Sequence, residues 1–203
     1  LLLASLSIIK CTHSTEKHPV LRYAASLLVT ETNDIQGLIE FLQPYHFDGV
    51  ITVCDYYIEV VREVAKALNL SCPFPDEVKT VRQKHLMRQA LDRAGLANPN
   101  YRLAHSWTEV EEFAAAIGYP LVLKPVDLES SAFVSLVQYV KELQDAYHAL
   151  EAFPLNFRDQ ERDCTYLLEE YMKSEEVSVE SVSYNGETKI LGVTLSCRKC
   201  NRG

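Results

Sequence analysis

Two hydrophobic periods alternate along this chain, and that alternation limits its fold more than any other feature. Ala4–Lys10 and Ser26–Thr30 read as short strands, and Val50–Val53 is the continuous apolar run expected of a buried parallel strand. Between them, Ile35, Leu38, Ile39 and Leu42 recur at helical spacing behind Asp34, a good N-cap residue, and Pro44 closes the segment. Asp48-Gly49 then turns the chain. Asp55 is placed to cap a second helix over Tyr57–Leu68, with Val60, Val61, Val64, Ala65 and Leu68 inward. Strand, helix, strand, helix in that order predicts an open parallel sheet with crossover helices.

Pro73-Phe74-Pro75-Asp76 interrupts this pattern and is the candidate boundary between residues 1–72 and 73–203. Beyond it the periods predict a helix over Glu77–Ala94 stopped by Gly95. A short strand follows, then a helix opened by Thr108 with Glu111 three residues on and closed by Gly118. Pro120–Lys124, Phe133–Val137 and Tyr166–Glu169 read as strands, and Val140–Ala152 as a helix. Val177–Tyr184 and Thr188–Val193 form a hairpin around Asn185-Gly186, the residue pair a type I′ turn prefers.

The chain has 203 residues, 47% of them apolar and 24% charged, which is the composition of a folded globular protein with room for a sizeable core. A formal charge of −8 argues against non-specific nucleic-acid binding, which needs basic clusters. Six cysteines follow no disulfide-framework spacing, so reduced thiols and a cytoplasmic location are expected. Cys197-Arg198-Lys199-Cys200 has no second CxxC or CxxH to complete a zinc site and reads as two incidental thiols. Leu1–Ile9 lacks the basic flank and cleavage site of a signal peptide and is too short to span a bilayer, so no membrane partner is expected. The two ends read as those of a fragment. Oligomeric state is left open, a homo-oligomer being compatible with all of this.

Chemistry concentrates in two lysines and an acidic hinge. On the Glu77–Ala94 segment Thr80, Lys84, Met87, Leu91 and Ala94 share one helical face, which would bury Lys84; a buried ammonium either snorkels out or finds an anion. Lys124 ends an apolar strand at Pro125 and faces whatever lies beyond the sheet. Leu167-Leu168-Glu169-Glu170-Tyr171-Met172 leaves a strand as a connector would, offering backbone groups to a base edge and Tyr171 and Met172 as apolar contacts. Glu176 and Glu180 share a face if they lie in one strand, and Glu176 then suits ribose hydroxyls. Two inward cations plus a strand-end carboxylate cluster make a site for a nucleoside triphosphate. The six histidines show no metal-ligand spacing, and no Walker lysine or nucleophile elbow is present.

In order and spacing, Lys84, Ala94-Gly95-Leu96, Pro99, Gly118-Tyr119-Pro120-Leu121-Val122-Leu123-Lys124-Pro125, Glu169-Glu170-Tyr171-Met172 and Glu176-Val177-Ser178-Val179-Glu180 resemble the ATP-grasp superfamily. Within it the pattern is most similar to the amino-acid ligase and related carboxylate–amine ligase group. The resemblance implies an α/β chain, a partial Rossmann-like domain followed by an ATP-grasp domain whose catalytic lobe is incomplete. It also implies ATP and magnesium as cofactors and a carboxylate and an amine as substrates, joined through an acyl phosphate. Lys84 and Lys124 would contact the phosphates, Glu169 and the backbone of Glu170, Tyr171 and Met172 the adenine, and Glu176 the ribose. Two departures stand out. Where the family has a Gly-Ser-x-Gly phosphate loop, this chain has Glu129-Ser130-Ser131-Ala132, in which Ser130 and Ser131 remain able to donate hydrogen bonds and Glu129 would repel a phosphate. The magnesium ligands of the family would fall beyond Gly203, so residues 1–203 alone are expected to show no ligase turnover. A non-catalytic nucleotide-binding or interaction module is the alternative these departures favour, and a carboxylase or purine-pathway ligase of the same superfamily is a third reading.

Overall fold

The computed structural model describes residues 7–11 and 22–195. The chain divides at Glu170/Tyr171 into two compact units.

The first unit holds two apolar cores. The smaller is built on β1 (Ser7–Cys11) paired in parallel with β2 (Ser26–Thr30), α1 (Ile35–Leu42) and α2 (Ile58–Leu68). Leu38, Leu42, Val60 and Val64 are its buried centre, with Leu28, Ile35 and Leu68 against it. Asp34 caps α1 as expected, its carboxylate accepting the Gly37 N–H at 3.0 Å. Ala4–Leu6, the start of the first predicted strand, lie outside the described residues.

Two expectations for this region fail. Val50–Val53 forms no strand; Gly49 makes one parallel bridge to Ser71, and Ile51 and Val53 are 65% and 101% exposed. An apolar run marks a strand only when something covers it, and nothing described in this unit does. Asp55 does not cap α2 with its side chain but begins a 3₁₀ turn, Asp55–Tyr57, that leads into the helix.

The larger core sits under a four-stranded antiparallel sheet of β3 (Tyr101–Ala104), β4 (Leu121–Pro125), β5 (Ser135–Val137) and β6 (Tyr166–Glu170), in the order β3-β6-β4-β5. Helices α5 (Trp107–Ile117) and α6 (Val140–Glu151) cover one face. Leu121, Leu123, Tyr166 and Leu168 point into that face and meet Val110, Ala114, Leu143 and Leu150, all 0–1% exposed. By strand alternation Val122, Lys124, Leu167 and Glu169 occupy the other face. Helix α5 starts two residues earlier than expected. Ser106, not Thr108, is the N-cap: its Oγ accepts the Glu109 N–H at 3.4 Å, while the Glu109 carboxylate takes the His105 N–H at 2.7 Å.

The predicted Glu77–Ala94 helix is two helices, α3 (Val78–Arg82) and α4 (Lys84–Arg93), separated by Gln83 in an extended conformation (φ −96°, ψ 119°). The break follows from a long-range bond: the Lys84 N–H donates to the Val126 carbonyl at 3.0 Å instead of into a continuous helix. The stripe expected to be buried is therefore open, with no fully buried residue on α4 and Met87 39% exposed.

The second unit is the hairpin of β7 (Val177–Tyr184) and β8 (Glu187–Leu195), with Asn185 and Gly186 at φ 50° and 81° as a type I′ turn requires. All of β7 and all but Gly192 of β8 are exposed.

Candidate functional site

The site is built where the start of α4 meets the sheet face opposite α5 and α6 and the C-terminal end of β4. Lys124, held on that face by β4's alternation, places its Nζ 2.5 Å from Glu169 Oε2 on the neighbouring strand β6. Arg88, one turn into α4, brings Nε to 2.7 Å from Glu169 Oε1 and Nη2 to 3.3 Å from Oε2. Glu169 is only 5% exposed, so one buried carboxylate is shared by two cations. Asn98 fixes Arg88 in turn: its Oδ1 accepts from Nη1 at 3.1 Å and its Nδ2 donates to the Arg88 carbonyl at 2.8 Å.

Lys84 has a different environment. It is half-buried, no carboxylate among the described residues pairs with it, and its Nζ donates to the backbone carbonyl of Leu128. Burial is the main cause that pushes its pKa down to about 8, and the nearby positive charges of Arg82 and Lys124 push in the same direction. An ammonium destabilised by missing solvent and by like charge is stabilised by an arriving anion. The geometry makes Lys84 receptive and leaves Lys124 and Arg88 already engaged.

The loop after β4 completes the site. Ser130 and Ser131 adopt φ 54° and 58°, and the Ala132 N–H returns to the Glu129 carbonyl at 3.0 Å, the φ signature of a type I′ turn. Phe133 follows at φ 56°. These are left-handed conformations that favour glycine, held here by three residues that are not glycine. What holds them is tertiary: Phe133 packs on the larger core and meets Phe153 in a tilted ring pair, centroids 4.8 Å apart. The Glu129 N–H donates to the Tyr56 hydroxyl at 3.3 Å, and the guanidinium of Arg82 lies 4.9 Å over the Tyr56 ring while donating to the Asp127 carbonyl.

Among the residues singled out from sequence, Lys84, Lys124, Ser130, Ser131 and Glu169 lie in the first unit; Lys124 and Glu169 are an ion pair, and Lys84 is near enough to Lys124 to feel its charge. Glu170 ends β6, exposed, with its N–H on the Asn100 carbonyl at 2.9 Å. Tyr171, Met172 and Glu176 belong to the second unit; Glu176 stands just before β7 and so shares no strand with Glu180. Sequence reasoning assigned nothing to Arg88, Asn98 or Tyr56. Arg88 was within reach, because it falls one turn after Lys84 on the same helix. Cys54, Cys72 and Cys164 are free thiols, and Cys197 and Cys200 lie outside the described residues. No group of three or more metal-ligating side chains occurs among the described residues. No helix among them is long and apolar enough to cross a membrane.

A mixed α/β chain with one lysine at a helix start, another near a strand end and a left-handed loop after that strand defines a fold class that comparison identifies. The family model of the ATP-grasp domain matches residues 117–199. L-amino acid ligase from Bacillus licheniformis superposes with a TM-score of 0.77 at 21% identity, covering 94% of this chain and 46% of that one. The ADP complex of N5-carboxyaminoimidazole ribonucleotide synthetase superposes with a TM-score of 0.73 at 20% identity, covering 93% and 47%. Among curated relatives, alanine–anticapsin ligase from Bacillus amyloliquefaciens is 27% identical over 127 residues, 61% of this chain and 26% of that protein. The chain shares the fold of these solved structures, and its residues 117–199 match the ATP-grasp domain model. It spans about half the length of these solved chains and about a quarter of that ligase.

Proposed function

We propose that this chain is the nucleotide-binding portion of an ATP-dependent carboxylate–amine ligase, with an amino acid among its substrates. The observation that carries this is Lys84: a half-buried ammonium with no carboxylate partner among the described residues, on a backbone carbonyl beside Lys124 and Arg82, its pKa lowered to about 8. A half-buried ammonium that no carboxylate pairs with suits the phosphates of a nucleotide. In this reading Lys84 and Lys124 take the phosphates, and the Ser130-Ser131 turn lies over them. Glu169 and the backbone of Glu170, Tyr171 and Met172 serve the adenine, and Glu176 the ribose. The lysines would also stabilise charge on a phosphoryl group in transfer to a carboxylate. Magnesium would come with the triphosphate; no described residue is assigned to hold it.

The left-handed loop bears on the non-catalytic alternative. Losing the family's glycines would argue for a dead site if the loop had lost its shape, yet Ser130, Ser131 and Phe133 adopt positive φ without them. A domain boundary near residue 72 is part of the proposal, supported by two separate apolar cores, one formed entirely before it and one entirely after. So is a cytoplasmic location, supported by the free thiols of Cys54, Cys72 and Cys164.

Calorimetric titration of Mg-ATP into the purified chain tests the reading. Removing a charged hydrogen-bonding partner of the phosphates should weaken binding by roughly tenfold or more for both Lys84→Ala and Lys124→Ala. Unchanged affinity in both variants would defeat the phosphate assignment.

A further inference from the structure

Glu169 has more counter-charge than one carboxylate needs to be neutral. Lys124 alone would satisfy it, at 2.5 Å, yet Arg88 also reaches both oxygens, at 2.7 and 3.3 Å. The three side chains are 6–16% exposed, so solvent contributes little to screening them. To serve as a phosphate ligand, the Lys124 ammonium must leave Glu169, wholly or in part, and a buried carboxylate deserted by its only cation is strongly destabilised. With Arg88 in place that desertion never occurs. The guanidinium keeps a bidentate hold on Glu169, and it cannot follow Lys124, because Asn98 Oδ1 holds its Nη1 at 3.1 Å and Asn98 Nδ2 is anchored on the Arg88 carbonyl and on Asp92 Oδ1 at 2.7 Å.

We propose that Arg88 is a positioning residue that takes up the charge of Glu169 so that Lys124 can exchange carboxylate for phosphate. The inference rests on the assignment of Lys124 to the phosphates made above. Arg88 itself touches no ligand. It sets how tightly Lys124 is held while the site waits, and Asn98 orients Arg88 for that task. Lysine would serve poorly in its place, since a point charge cannot occupy both carboxylate oxygens in fork geometry.

Competitive acetylation of lysines, read by mass spectrometry across pH without nucleotide, measures how free the Lys124 amine is. In Arg88→Met, Glu169 is left to Lys124 alone, and the labelling rate of Lys124 at pH 8–9 should fall by roughly threefold or more while that of Lys84 is unchanged. In Arg88→Met/Glu169→Gln the Lys124 rate should rise above wild type. Mg-ATP affinity should follow the same order: roughly tenfold weaker in Arg88→Met and intermediate in Arg88→Lys. A Lys124 rate unaffected by Arg88→Met overturns the proposal, as does a double variant whose Lys124 is labelled no faster than in the single one. If Arg88→Met fails to fold, the double variant, which has no buried carboxylate to strand, and Arg88→Lys decide it. Should the wild-type chain bind no Mg-ATP at all, the phosphate assignment falls, and the labelling still determines whether Arg88 governs Lys124.

Discussion

Two buried carboxylates flank the β4–β6 pair, and the protein uses them in opposite ways. Asp127, just past β4, accepts Arg162 Nε at 3.5 Å on one oxygen and the Asp163 N–H at 2.7 Å on the other. Arg162, its side chain 1% exposed, gives Nη1 to the carbonyls of Leu150 and Phe153 at 3.0 and 2.6 Å, and only its Nη2 finds no partner. That set fastens the loop after β4 to the end of α6. Around Glu169 the positive charge exceeds what the carboxylate absorbs, and Lys84 close by rests on a single carbonyl. The difference separates architecture from receptivity. A cation whose nitrogens are nearly all taken up by protein acceptors holds the fold; in the function proposed above, one that rests on a single carbonyl is left for a ligand.

Breaking the closed cluster should have the largest effect. Arg162→Met strands Asp127 in the interior and should lower unfolding free energy by about 3–5 kcal/mol in urea titration, with any loss of nucleotide binding following the loss of fold. The open cluster should respond to pH instead. Lys84 has a folded pKa of about 8 against 10.5 unfolded, so between those values the unfolded chain binds the extra proton. Its contribution to stability is therefore unfavourable below pH 8 and is relieved as pH rises toward 10.5. Lys84→Met should lack that rise, making the variant more stable than wild type at pH 7 by roughly 1–2 kcal/mol once its partial exposure is discounted. A variant less stable at pH 7 would mean that Lys84 is structural after all. The smallest effect belongs to the loop between the two clusters. Ser130→Gly and Ser131→Gly relieve left-handed backbone and should each stabilise by about 1 kcal/mol or less, measured by thermal melting.

Local signals in the sequence located most of the second half. The strand Leu121–Pro125, the helix Val140–Glu151 and the Asn185-Gly186 hairpin are dictated by neighbours in the chain and came out within a residue or two of their bounds. The failures have a common origin in contacts far apart in sequence. Ser106-x-x-Glu109 and Thr108-x-x-Glu111 are equally good start signals, and the packing of Trp107 on Tyr147 at 5.4 Å, 40 positions away, accompanies the choice of the earlier one. The site was half legible. Lys84, Lys124 and Glu169 declared themselves by charge in apolar surroundings. That Glu169 is shared with Arg88 across 81 positions, and that Tyr56 holds the loop across 73, depends on tertiary geometry that no local pattern encodes.

Gln83 has a consequence for how such a surface can change. In a continuous helix each residue turns the next by about 100°, so the direction of Lys84 would be locked to that of the buried Val78. One extended residue cancels that phase. The azimuth of α4 is set afresh by the Lys84 N–H on Val126, so substitutions that repack α3 need not rotate the lysine, and changes at the lysine's face need not disturb the core. The short kink makes two neighbouring turns of helix independent surfaces, one answerable to packing and the other to charge.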